Sequence, residues 1–246
     1  MTNKYMYFIA NWKMYGNLKS LNTLDKVIRF SKSKEIKKGR LIYCPPFTLI
    51  SSFQKKFANC LIDIGAQNCH ESIEYGPHTG YINAKMLKAI GANYVIIGHS
   101  ENREKGENDK IINQKIRSAI NANLKVIFCI GETFKQKKNG KTRSVLLKQI
   151  NRGLNKINKR INLFVAYEPV WSIGTGKIPK IKDLEQTVKF IKNTFKQKLP
   201  KILYGGSVNP KNIENLKAIK DLDGFLVGGA SQNSKKFIDI VKKTYN

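Results

Sequence analysis

Long apolar runs are absent from this chain of 246 residues. The longest, such as Tyr5 to Ala10 and Tyr94 to Ile97, fall far short of the roughly 18 to 20 residues that a membrane span needs. No membrane association is expected. Tyr5 to Ala10 leads into the polar Asn11-Trp12-Lys13 instead of a small-residue cleavage site, so no signal peptide is expected and a cytoplasmic location is. Cysteine is scarce: Cys44, Cys60, Cys69 and Cys129 form no C-x-x-C pair and give neither a disulfide framework nor a zinc spacing. Reduced, mostly buried thiols and no metal site follow. Acidic residues are few, 17 Asp and Glu against 45 Lys and Arg, leaving a formal charge of +28. Such a balance raises nucleic acid as a partner. The lysines, however, are scattered over expected helix faces, as in Lys182, Lys189, Lys192, Lys196 and Lys198, with no basic tail or aromatic-interleaved tract. A solvated surface is expected, and nucleic-acid binding is not. No linker or low-complexity stretch divides the chain, so residues 1–246 are expected to form one domain.

What the chain does have is alternation. Short apolar runs at Tyr5 to Ala10, Leu41 to Cys44, Leu61 to Ala66, Tyr94 to Ile97, Val126 to Ile130, Leu163 to Tyr167, Ile202 to Tyr204 and Phe225 to Val227 predict eight strands. Between them the period changes. Leu147, Ile150, Leu154 and Ile157 recur at helical spacing, as do Ile181, Leu184, Val188, Ile191 and Phe195. Strands apolar on consecutive positions suit a parallel sheet covered on its outer face. Eight strand-helix units in this length describe an α/β fold, a single (β/α)8 barrel, better than an open doubly wound sheet.

Barrels of this kind carry their chemistry where strands hand over to the following loops. Polar residues directly after apolar runs are therefore the candidates. Asn11-Trp12-Lys13 follows the first strand and Gly98-His99-Ser100-Glu101 the fourth. Glu168-Pro169-Val170-Trp171-Ser172-Ile173-Gly174-Thr175-Gly176-Lys177 follows the sixth. Gly205-Gly206-Ser207-Val208 follows the seventh and Gly228-Gly229-Ala230-Ser231 the eighth. Glycine lets backbone N–H groups approach an anion closely, and the last two loops are the usual phosphate site of such barrels.

Taken together, in this order and over the whole length, these segments resemble the triosephosphate isomerase family. The resemblance implies a TIM barrel that interconverts D-glyceraldehyde 3-phosphate and dihydroxyacetone phosphate through an enediolate, without a cofactor, in glycolysis and gluconeogenesis. Such a reaction needs a base for a carbon-bound proton, an electrophile for the developing oxyanion and a phosphate site. By resemblance Glu168 is the base, His99 the electrophile acting as a neutral imidazole, and Lys13 a fixed positive charge for phosphate and oxyanion. Asn11 positions Lys13 and the substrate. Gly174, Ser207, Gly228 and Gly229 bind the phosphate, Gly174 only when its loop closes. Trp171 anchors that lid beside Pro169. Glu101 orients Lys13 and assists proton movement, with structural support as its alternative role. His70 and His78 are read as structural.

The resemblance also implies a homodimer in which the loop Gln67 to Tyr81 enters the partner, with Thr79 reaching toward the partner's site. Several positions depart from the family's pattern. Ser172 stands where alanine is usual and Gln232 where leucine is usual, which bears on the lid and on packing beside the phosphate loop. Tyr15, Tyr81 and Asn102 replace residues of the association surface, removing a family charge pair at the last two positions. Cys129 is taken as a packing residue. A different phosphate-binding barrel isomerase or epimerase, and a polyanion-binding protein, are the alternative readings.

Overall fold

Eight parallel strands close on themselves in sequence order in the computed structural model, which describes residues 4–33, 36, 38–157, 163–195 and 199–246. They are β1 (Met6–Asn11), β2 (Gly39–Cys44), β3 (Ile62–Ala66), β4 (Tyr94–Ile97), β5 (Lys125–Ile130), β6 (Leu163–Tyr167), β7 (Lys201–Tyr204) and β8 (Gly224–Val227). β1 pairs with β2 through Met6 to Gly39 and with β8 through Tyr7 to Gly224, which closes the barrel. Every expected strand is present: β4 and β6 have the expected bounds, and the other strands differ by at most two residues at an end. Leu61 falls outside β3 and is exposed, since its side chain would precede the paired segment.

Two cores result. Phe8, Leu41, Val95, Val165 and Phe225 face outward and pack against the helices, while Ile9, Ile42, Ile96, Ile127, Ala166, Leu203 and Leu226 fill the barrel. Adjacent residues of a strand thus serve opposite cores, and both are apolar because both faces are covered. That is why the strand runs read as continuous.

The helix Ile181–Asn193 buries Leu184, Val188 and Ile191 as its spacing predicts, and Phe195 is buried just beyond its end. The helix Thr142–Gly153 differs from expectation: it buries Leu146 and Ile150 and leaves Leu147 at 41% exposure. The cause lies one turn on. Gly153 presses against β5 so closely that a Cβ there would lie 2.5 Å from Phe128 Cζ, and the face shared with Gly153 is that of Leu146 and Ile150. Leu154 and Ile157 are buried but lie past the helix. No helix among the described residues is long and apolar enough to cross a membrane. Lys182, Lys189 and Lys192 lie on the helix Ile181–Asn193, whereas Lys196 and Lys198 fall outside the described residues.

Candidate active site

The barrel's inward face continues past the strand ends, and period two decides what stands there. Ile9 is followed on that face by Asn11, Ala166 by Glu168, Leu203 by Gly205 and Leu226 by Gly228. The four sit around one cavity of about 520 Å³.

Glu168 extends β6, its N–H donating to Ile130 O at 2.8 Å, and the residue is 2% exposed. Two glycines admit it. A Cβ on Gly131 would lie 1.7 Å from Glu168 O, and one on Gly205 would lie 2.8 Å from Glu168 Cγ. Its Oε2 accepts from the Ser100 N–H at 3.3 Å. Its Oε1 is buried with no hydrogen-bond partner among the described residues, 3.4 Å from His99 Nε2. A carboxylate oxygen buried without a donor is costly. Such strain concentrates at sites that act on a proton.

His99 caps the short helix Ser100–Glu104, its Nδ1 accepting from the Glu101 N–H at 3.3 Å. An accepting Nδ1 leaves the remaining ring proton on Nε2, the nitrogen that faces Glu168 and the cavity. The tautomer is therefore set by backbone, and the imidazole is a donor toward the cavity.

Lys13 takes the left-handed conformation, φ 54°, which a non-glycine residue adopts only when held. Asn11 Oδ1 accepts from its N–H at 3.1 Å, and Gln67 Nε2 donates to its carbonyl at 2.8 Å. Gln67 Nε2 also donates to Cys44 O at 2.8 Å, so the ends of β1 and β2 share one side chain. The turn aims Nζ at Glu101 Oε1, 2.6 Å away. Burial alone would raise the Glu101 pKa, but the hydrogen bond from Lys13 and the nearby positive charge outweigh it and hold the carboxyl below its usual value. Trp12, between the two, points the opposite way and packs edge-on against Phe53.

Gly174, Ser207, Gly228 and Gly229 line the same cavity as Lys13, His99 and Glu168. A Cβ on Gly228 would lie 3.6 Å from Lys13 Cε, and one on Gly229 would meet nothing, so both leave backbone open to a bound group. The loop after β6 lies against this cavity, with Gly174 at φ 71° and Gly176 at φ 75°, conformations that favour glycine. Ser207 ties it down: its hydroxyl donates to Ser172 O at 2.6 Å and accepts from the Gly176 N–H at 3.0 Å. Glu101 and Trp171 do not line the cavity. The first bonds to Lys13, which does. The second donates from Nε1 to Glu132 Oε1 at 3.1 Å and lies under Lys137 Nζ, 3.8 Å from its ring centroid.

Glu132 is not among the residues that the sequence singles out. It is 1% exposed, accepts from the Tyr167 hydroxyl at 3.1 and 3.2 Å and from Trp171, and its pKa is raised by burial against the pull of those donors. A signal for it exists, a polar residue two positions after β5. Gln67 likewise follows β3 directly, whereas the contact between Ser172 and Tyr204 is visible only in the structure. Of the four cysteines, Cys44, Cys69 and Cys129 are buried and Cys60 is half-buried, all as free thiols. Burial, reinforced by the adjacent Glu168, pushes the Cys129 thiol well above its usual range, in keeping with packing.

A sequence profile of triosephosphate isomerase matches residues 6–244. The chain is 44% identical to triosephosphate isomerase from Thermodesulfovibrio yellowstonii, over 96% of its own length and 98% of the relative's. It is 41% identical to that of Bradyrhizobium diazoefficiens, over 98% and 99%. Among solved structures it is similar to the triosephosphate isomerase of Bartonella henselae, with a TM-score of 0.89 and 34% identity, covering 98% of this chain and 100% of that one.

Proposed function

The chain belongs to the triosephosphate isomerase family, and from the site geometry we propose how its residues divide the work. It is an isomerase that interconverts D-glyceraldehyde 3-phosphate and dihydroxyacetone phosphate. The observation that carries the assignment is the Glu168 and His99 pair, 3.4 Å apart, with one unpartnered carboxylate oxygen in the cavity of Lys13 and the glycine loops.

Glu168 takes a proton from the carbon beside the carbonyl, and the carbonyl π electrons move onto oxygen as a carbon–carbon double bond forms. His99 Nε2–H donates to the oxygens of this enediolate, and Lys13 adds a positive charge held in place before the reaction. The hydroxyl proton passes by way of His99 Nε2 to the former carbonyl oxygen, and Glu168 returns the carbon-bound proton to the neighbouring carbon, which together complete the exchange of carbonyl and hydroxyl. The phosphate lies against the open backbone of Gly228 and Gly229, with Gly174 contributed by the lid. Asn11 positions Lys13, Glu101 orients its ammonium, and Trp171 on Glu132 anchors the hinge. Ser207 serves both the phosphate and the lid.

The chain acts as one barrel domain, in the cytoplasm, as a homodimer through Gln67 to Tyr81. Exposed apolar side chains on the loop Gln67 to Tyr81 and after β1 support the association: Met14 is 94% exposed, Tyr75 67%, Tyr81 66% and Tyr15 59%. A coupled assay of glyceraldehyde 3-phosphate consumption by the purified protein tests the reaction. Absence of turnover would overturn it.

A further inference from the structure

Resting on the lid described above, we propose that the Ser172 hydroxyl is a latch that fastens both limbs of the lid to the barrel, a positioning residue for closure. Ser172 is fully buried. Its Oγ lies 2.6 Å from Lys177 O, 2.9 Å from Tyr204 Oη and 3.4 Å from Ser207 N. A hydroxyl has one proton and two lone pairs. Lys177 O can only accept, so the Ser172 proton goes there. Tyr204 must then donate to Ser172, and so must the Ser207 N–H. All the hydroxyl's capacity is used.

The partners are what make this a latch. Ser172 and Lys177 bracket the lid's tip, so their bond pinches the loop at its base. Tyr204 ends β7 and Ser207 begins the phosphate loop, so the other two bonds tie that base to the barrel. Gly206 is fitted to the pair. A Cβ there would lie 2.3 Å from Tyr204 Oη and 2.7 Å from Ser172 Oγ, so this position admits the pair only because it is glycine. Burial holds the Tyr204 phenol protonated, its pKa pushed up to about 12, and so a donor throughout the working range. Alanine, usual in the family at this position, offers none of these three bonds. Because two of these bonds join the base of the lid to the barrel, any opening that separates the two loses their free energy.

The test is a double-mutant cycle of Ser172→Ala and Tyr204→Phe, read by binding of phosphoglycolate, whose carboxylate and phosphate mimic the enediolate's charges. Removing the hydroxyl leaves a buried Tyr204 donor unpaired, so Ser172→Ala should weaken phosphoglycolate binding about 5- to 30-fold and lower kcat/KM in parallel. Lid reopening, followed by Trp171 fluorescence after displacement of the ligand, should quicken by a similar factor. Tyr204→Phe should cost much less when Ser172→Ala is already in place than it does in the wild type. Both substitutions remove a single atom and leave the thermal midpoint as a control for a merely structural role. Binding to Ser172→Ala within about twofold of wild type, or additive costs in the cycle, would overturn the latch. Failure of the wild-type chain to bind phosphoglycolate would overturn the site assignment on which it rests.

Discussion

Glu168 and Lys13 illustrate how single residues here depend on neighbours distant in the chain. Replacing Glu168 by Gln keeps the size and the fit against Gly205 but removes the base. Turnover should fall by at least about 10²- to 10⁴-fold, the range for positioned acid-base groups, with phosphoglycolate still bound and the fold unchanged. Near-wild-type kcat would refute the role. Glu101 offers a second test through its pKa. Burial raises it and the Lys13 hydrogen bond, with the positive charge around it, lowers it further than burial raises it. A carboxyl with a depressed folded pKa contributes stability above its unfolded value and loses it as pH falls through the folded one. The Lys13 pair should therefore survive through neutral and mildly acid conditions and fail only below about pH 4.3, the ordinary glutamate value. In a carbon-13 NMR titration the Glu101 midpoint should lie below that value and rise on Lys13→Met, which leaves burial less opposed. A midpoint that Lys13→Met does not move would show that the pair has no hold on Glu101. The carboxyl is 52% exposed, so its effect on overall stability should be small.

At the scale of an element, the lid after β6 is a stiff entrance, a glycine-bearing tip and a latched exit. Pro169 restricts the first joint, and Glu132 holds Trp171 from beneath. The tip Ile173 to Gly176 carries the two left-handed glycines. Its chemical purpose follows from the intermediate. An enediolate exposed to water can re-form a carbonyl by shifting its double bond and breaking the carbon–oxygen bond to phosphate, releasing inorganic phosphate and the enol of methylglyoxal. Closure excludes that path by holding the phosphate and keeping water out. Shortening Ile173 to Gly176 should lower turnover and increase methylglyoxal and phosphate released per isomerisation. Parallel assays of both products would test this, and an unchanged ratio would show that the tip does not protect the intermediate.

Across the whole molecule the opposing terms are apolar exposure and like charge. Met14, Tyr15, Tyr75 and Tyr81 present their side chains to solvent, and the root of the loop Gln67 to Tyr81 is braced where Lys115 bonds to Asn68 at 3.2 Å and to Glu107. Aromatic residues are favoured in interface cores. The family resemblance implies a charge pair across the proposed contact at the positions of Tyr81 and Asn102, and the absence of both charges here avoids leaving one buried alone. Against association stands repulsion between two bodies of charge +28, screened over roughly 8 to 10 Å at physiological ionic strength. The dimer should therefore weaken as salt is lowered, opposite to an interface held by ion pairs. Sedimentation equilibrium over a salt series, with activity measured in parallel, tests it. A fully active monomer, or a dimer that tightens in dilute buffer, would contradict the association.

The sequence by itself determined the eight strands, their order and the loops that carry the chemistry, because apolar runs, glycine and proline act through forces local to the chain. Asn11, Lys13, His99, Glu168 and the glycines were legible because each stands at a strand end in a recognisable motif. The tertiary structure decided which way each one faces and what holds it. Asn11 and Lys13 turn inward while Trp12 between them turns out; Leu146 instead of Leu147 meets the barrel because Gly153 lies against Phe128. Lys13 meets Glu101 across 88 positions of chain, and Ser207 meets Ser172 across 35. Contacts at such separations exist only once the barrel closes and brings all eight strand ends to one rim. For that reason the positions of Glu132, Gln67 and Ser172 after their strands could be read locally, but the partners each one holds could not.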